Sequence, residues 1–483
     1  MARNLLSIID MPAPQRLSSL EATFLALSSP EVPFVPGCLL ELDRPIELEL
    51  IRARIEKLLT EVPRYRQRIA RAPLLGSLAW VDDETFELDH HVGSVRVPAP
   101  GGERELDELV ARLLMAGLHT DGPPWRVWTV EGLADGRGAL IALVHHALVD
   151  GVAGIGLLER LLQICPELPN LDERADRVRP RSRSMLERLV ERVAADLRGR
   201  AAAWRRLSTQ LAPGRQLPAL VELMRLALRP SSDLGLGVHG ISGERTFTTF
   251  TVGLDATKAI KRAFGVTVND VLLACIAGAL RRYLARRGVD PDRLTDVRAM
   301  VPVSRHARDE HATSGNRVTL VLARLAVDER DAATRVRRIA ETTAALKRQD
   351  IAGAGDLLVT LSELTWSGVL TNVFRIALWR RAFNLGVTNV PGPPIPLYLL
   401  DARITRLVPI MNLWPGVPIA LAISSYAGSI TLSIDADRAV MPELAPFVDD
   451  LGASFEELRT AATSASRTPT ESSSLVPELT ARP

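Results

Sequence analysis

The chain has 483 residues, 59 Lys and Arg against 57 Asp and Glu, and 47% hydrophobic residues. That length exceeds one ordinary core, so two or three domains are expected, and the near-neutral balance argues against a general nucleic-acid binder. Three dispersed cysteines, Cys38, Cys165 and Cys275, form neither a disulfide framework nor a C-x-x-C metal site and suit a reducing cytosol. Met1 to Asp10 lacks a signal-peptide pattern. The apolar run "VLLACIAGAL" (271–280) is about half the ~20 residues a span needs. A cytoplasmic location with at most peripheral membrane contact is therefore expected.

In chain order, "GCLLELD" (37–43) reads as a strand, and "ELELIRARIEKLL" (47–59) and "ELDELVARLLMAGL" (105–118) as amphipathic helices. "RVWTVEGL" (126–133) and "ALIALV" (139–144) flank Asp135-Gly136, a hairpin signal. The second of these strands runs into His145 and His146, and after Gly151 the stretch 152–164 predicts a helix. Residues 171–215 hold twelve Arg against six acids, with Met185, Leu186, Leu189, Val190, Val193 and Leu197 on one helical face. Such a helix either lies on an anionic lipid surface or packs between domains with a solvated basic face. From about 241 a second α/β segment begins. It has strands at 245–254, 296–304 and 316–325, a long helix at 268–288 stopped by Gly288, and a hairpin at 419–437. The last ~20 residues, rich in Ser, Thr and Pro, are expected to be disordered.

The chemistry concentrates at His145-His146-x-x-x-Asp150-Gly151, where a strand gives way to a helix. A neutral imidazole, with a pKa near ~6.5, accepts a proton from an alcohol at cellular pH. His146 is the candidate general base. Asp150 either orients the imidazole, pairs with an arginine such as Arg305, or caps the next helix, and Gly151 relieves the bend. His145 reads equally as a core histidine bonded to the backbone. No third clustered ligand accompanies the pair, so no metal is expected. His90-His91, without a following Asp-Gly, reads as structural, and no G-x-S-x-G elbow marks a serine hydrolase.

This motif resembles the active-site signature of condensation-type acyltransferases, and its flanks are similar to one branch, the bacterial wax ester synthase/diacylglycerol acyltransferase family. The resemblance runs in order through "LSSLEATFLALSSP" (17–30), "PPWRVWTVEGL" (123–133), "VNDVLLACIAGALRRYL" (268–284), the Gly315-Asn316 segment, "TNVPGPPIPLYL" (388–399) and "SYAGSITLSIDAD" (425–437). Departures from the family pattern are Glu21 for Asp, Pro124 for Leu, Leu400-Asp401 and Ala420 for Gly-containing pairs, and "GER" at 243–245 for a double arginine. They leave acceptor preference open.

The resemblance implies an α/β (α+β) fold of two chloramphenicol-acetyltransferase-like lobes with mixed sheets. The expected limits are an N-terminal lobe at 1–168, a basic helical crossover at 169–240, a C-terminal lobe at 241–462 and a tail at 463–483. It further implies an acyl-CoA co-substrate, no cofactor, and a lipid alcohol acceptor making triacylglycerol or wax ester. A peripheral membrane or lipid-droplet surface is an implied partner; nucleic acid is not. Trp125, Asn269, Asp270 and Asn316 become candidate substrate-binding residues, with helix caps, turns and core packing as their structural alternatives. A polyketide-like or amine acceptor, or a catalytically weak lipid-surface protein, are the competing functional readings.

Overall fold

The computed structural model of the chain describes residues 15–71, 78–118, 121–148, 160–168, parts of 201–236, 240–304, 318–348, 359–362 and 368–467. Asp150, Gly151, Arg305, Asn316, the arginine-rich helix expected at 185–197 and the C-terminal tail lie outside these residues.

In the first half β1 (Gln15–Arg16) precedes α1 (Ser19–Leu27), which a reciprocal Ser18–Glu21 capping box starts. Then come β2 (Gly37–Leu42), α2 (Leu48–Glu61), β3 (Gln67–Arg71), β4 (Leu78–Asp82), β5 (Val92–Arg96) and α3 (Glu103–Ala116). β6 (Trp125–Glu131) and β7 (Gly138–Val144) form the foreseen hairpin, with Asp135 and Gly136 both left-handed at φ 60° and 64°. The end of the stretch expected to be helical carries a short strand instead, β8 (Leu162–Gln163).

The second half contains β9 (Arg245–Gly253), α4 (Leu254–Phe264), α5 (Val268–Arg286), β10 (Val297–Ser304), β11 (Val318–Leu325), α6 (Ala332–Arg348) and α7 (Gly368–Trp379). After these come β12 (Leu385–Pro391), β13 (Tyr398–Leu399), β14 (Ala402–Ile410), β15 (Ile419–Tyr426), β16 (Ser429–Asp437) and α8 (Ala445–Arg467). α5 is apolar on every side because every side is covered. Val271 through Leu280 pack against β12, β15 and β16 on one flank and against α6 and α8 on the other. No single helix among the described residues is long and apolar enough to cross a membrane.

The architecture is mixed α/β. Among the described residues one sheet runs β5-β6-β7-β2-β14-β13-β8, a second β11-β10-β12-β15-β16-β9, and a small third β1-β4-β3. Each large sheet joins parallel and antiparallel pairs. The run "ALIALV" is continuously apolar because both faces of its strand are buried. Leu140 joins a core with Ile51 and Ile55 of α2, while Ile141 and Leu143 join one with Leu106 and Leu109 of α3.

One feature departs from a simple division into sequential lobes. β13 and β14, from the second half of the chain, pair into the first sheet, with Leu407 opposite Leu40 and Ile410 opposite Gly37. The pairing places a charge at the seam. Glu41 of β2, 4% exposed, accepts Arg406 Nε at 2.9 Å and lies 3.5 Å from Arg137. Arg406 also donates to Thr249 of β9 at 3.0 Å, and Thr248 donates to Asp107 of α3 at 2.9 Å.

A buried carboxylate that loses a guanidinium is left partly uncompensated. Arg406→Met is expected to lower stability by about 2–3 kcal/mol, read as a lower urea midpoint with unchanged slope. The double change Glu41→Met/Arg406→Met is expected to recover most of that loss.

Candidate active site

The candidate imidazole is held by its backbone before any side-chain contact is counted. At the end of β7 three successive amides are tied to flanking chain. Val144 N donates to Pro36 O at 3.0 Å, His145 N to Pro124 O at 2.8 Å, and His146 N to Phe34 O at 2.7 Å. A 3₁₀ turn over His146–Leu148 follows, closed by Leu148 N to His145 O at 2.8 Å.

The two histidines have different surroundings. His145 is 2% exposed, and its Nδ1 accepts the Ala147 amide at 3.1 Å, which places its proton on Nε2. Among the described residues Nε2 has no hydrogen-bond partner. Burial, with the adjacent His146 charge adding to it, holds its pKa down at about 4, so the ring is neutral. His146 is half-buried, its ring centroid 4.0 Å from that of Phe24 and tilted by 38°.

Phe24 belongs to an aromatic wall built from both halves of the chain. Phe34 lies 5.9 Å from Phe24 and meets Trp414 edge-on at 5.1 Å, and Phe374 of α7 stacks on Trp414 at 5.7 Å. Met300 of β10 and Ala420 of β15 close the cluster. The wall covers one face of the His146 ring with packed apolar side chains. Of these aromatic residues only Phe24 lies in a stretch that the sequence singled out, residues 17–30.

The segment from Ser28 to Pro36 straps the wall in place. Phe34 N donates to Ser28 Oγ at 3.3 Å, and Arg245, 4% exposed, reaches from β9 to donate to Glu31 O at 2.7 Å. Arg245 Nε also lies 3.8 Å from buried Asp435, whose carboxyl burial pushes up to about 7 despite that cation. The arginine of "GER" thus ties the second sheet to the chain that carries Phe34.

The other sequence candidates have contacts of their own. Trp125, 2% exposed, donates its indole N–H to Tyr65 O at 2.7 Å and stacks on His91 at 4.8 Å, so its ring contacts are with the N-terminal core. His91 Nδ1 in turn lies 2.9 Å from Trp125 O. Asp270 completes a capping box on α5. Its Oδ2 accepts the amide and hydroxyl of Thr267 at 2.9 and 2.7 Å, and its Oδ1 accepts Thr343 Oγ1 at 2.7 Å. Asn269 accepts Asn389 Nδ2 at 3.2 Å. Strand alternation along β12 turns Asn389 away from the face of Gly386, beside Trp414. Trp125 thus lies opposite Val144, at the strand end that carries His145 and His146, while Asn269 and Asp270 are engaged at the start of α5.

Comparison with known proteins bears on this arrangement. Residues 17–272 match the profile described as the wax ester synthase/diacylglycerol acyltransferase catalytic domain, and residues 314–459 the profile of the WS/DGAT C-terminal domain. A Mycobacterium tuberculosis protein named as a diacylglycerol O-acyltransferase is 31% identical over 464 residues, 92% of this chain and 90% of its own. A second from that organism, likewise named, is 29% identical over 450 residues, 88% of this chain and 92% of its own. The wax ester synthase/diacylglycerol acyltransferase of Marinobacter aquaeolei VT8 matches in structure with a TM-score of 0.65 at 25% identity, covering 93% of this chain and 100% of that one. A mutant starter condensation domain of rhizomide synthetase, solved with C8-CoA, shares the fold at a TM-score of 0.55 and 14% identity, covering 94% and 95%.

The low His145 pKa has a measurable consequence. The unfolded chain binds a proton near pH ~6.5 whereas the folded chain does so only near 4, so stability is full above that window and falls as pH drops through it. The loss is on the order of 3 kcal/mol. His145→Asn keeps an acceptor for the Ala147 amide, and its melting temperature is expected to fall less steeply between those pH values.

Proposed function

The chain belongs to the wax ester synthase/diacylglycerol acyltransferase family and is an acyltransferase of that type, and from this premise we propose that it esterifies a lipid hydroxyl with acyl-CoA, using His146 as general base. The observation that carries the proposal is the placement of His146. Its ring is half-buried at a strand end fixed by three backbone hydrogen bonds, against an aromatic wall contributed by both halves of the chain.

In this reading the imidazole takes the hydroxyl proton as the alcohol oxygen attacks the thioester carbonyl. The tetrahedral oxyanion collapses, the C–S bond breaks, and the CoA thiolate recovers the proton from the imidazolium. Oxygen replaces sulfur on the acyl carbon directly, so no acyl-enzyme forms and no cofactor is needed. The wall beside Phe24 excludes water, which protects the thioester from hydrolysis and strengthens the developing charges. His145, neutral and bonded to the turn, acts on the backbone that aims His146. The acceptor is diacylglycerol, a fatty alcohol, or both; the C8-CoA complex of the condensation domain supports a thioester donor on this fold.

A cell-free assay with long-chain acyl-CoA and either diacylglycerol or a fatty alcohol tests the proposal. His146→Ala is expected to lower kcat by ~10²–10⁴-fold while leaving the melting temperature near that of the wild type. Retention of wild-type kcat would refute the assignment.

A further inference from the structure

Helix α7 turns two unlike faces to its surroundings. Inward, Leu370, Thr371 and Leu378 are buried, and Phe374 stacks on Trp414 in the wall beside His146. Thr371 Oγ1 lies 3.0 Å from Thr23 of α1. Outward, Val369, Ile376 and Trp379 are 39%, 44% and 75% exposed. Their spacing puts all three on one stripe, a different matter from apolar side chains scattered singly over a surface.

The charges that this stretch of the chain itself supplies have one sign. From Leu364 to Leu400 the chain has no Asp or Glu, and its charged residues there are Arg375, Arg380 and Arg381. The Arg380 guanidinium sits 5.0 Å from the centre of the Trp379 ring, which joins cation and indole at the level where headgroups meet acyl chains. Arg375 reaches back to Ala26 O at 3.3 Å, and Asp233 lies 3.8 Å from Arg381. An apolar stripe bordered by arginines is complementary to an anionic lipid surface. In a symmetric pairing with a second copy the same arginines would oppose one another.

We propose that the outer face of α7 docks the protein on an anionic lipid surface. One helix then touches the lipid phase on one side and the wall of the active site on the other, so a bilayer-borne hydroxyl is delivered beside His146. The docking stands independently of the proposed reaction; only the delivery step rests on it.

The test uses the full chain and vesicles of phosphatidylcholine with or without phosphatidylglycerol. Wild type is expected to sediment with the anionic vesicles, and Ile376→Ser/Trp379→Ser to lower partitioning at least ~tenfold. Arg380→Gln is expected to lower it about fivefold on anionic vesicles and little on neutral ones. With a water-soluble short-chain alcohol as acceptor all three proteins are expected to share one kcat, while kcat/KM for a vesicle-borne acceptor follows partitioning. Variants that sediment like wild type overturn the docking face. So does a wild type that ignores vesicles but dimerises through Trp379. Absence of turnover on the soluble pair, with docking intact, refutes the reaction and leaves the surface standing.

Discussion

Three backbone hydrogen bonds decide where the imidazole of this protein sits. Val144, His145 and His146 give their amides to Pro36, Pro124 and Phe34, so the strand end is clamped between the chain entering β2 and the chain entering β6. Two of the three acceptors precede or are prolines in extended segments, which have few ways to move. An imidazole positioned by backbone keeps its aim when side chains around it adjust. In the proposed reaction, that rigidity is what a base needs to meet a hydroxyl whose own position is set only by a slippery alkyl chain.

The same clamp makes the site a property of both halves. Phe34 accepts His146 and faces Trp414, which the chain supplies nearly three hundred residues after β7, on the order of the whole second lobe. Arg245 reaches back from β9 to Glu31, and Arg406 binds Glu41 and Thr249 together. These polar ties are costly in isolation, since each buries charge, and Asp435 carries the cost openly in its raised carboxyl. They fix the relative placement of two surfaces whose apolar packing alone would tolerate sliding.

Much of this was readable from local pattern. The apolar run before His145, the Asp135-Gly136 turn and the Gly288 stop each encode a short-range geometry, and each forms as expected, whereas the Ser18 cap of α1 and the Thr267 cap of α5 went unread. Long-range partnership was not readable. Nothing in "ARITRLVPI" says that it pairs with β2 rather than with its neighbours β12 and β15. Asp270 could be weighed as cap or ligand, but only its contacts with Thr267 and Thr343 show both carboxylate oxygens engaged. The departure at Leu400 has a physical reading as well. Its φ of 58° lies where glycine is at ease, yet its side chain is fully buried, so packing holds a backbone state that costs roughly 1–2 kcal/mol.

The insertion of β14 beside β2 also bears on biosynthesis. Until Ala402–Ile410 leaves the ribosome, β2 presents an unpaired edge whose Leu39 and Leu40 belong to two unfinished cores. At ~5–20 residues per second that interval lasts roughly ten seconds or more. A nascent chain in that state is a template for strand addition by its neighbours. The protein is thus open to aggregation before it has made any product, for as long as the stretch of polypeptide between these two strands is still being translated.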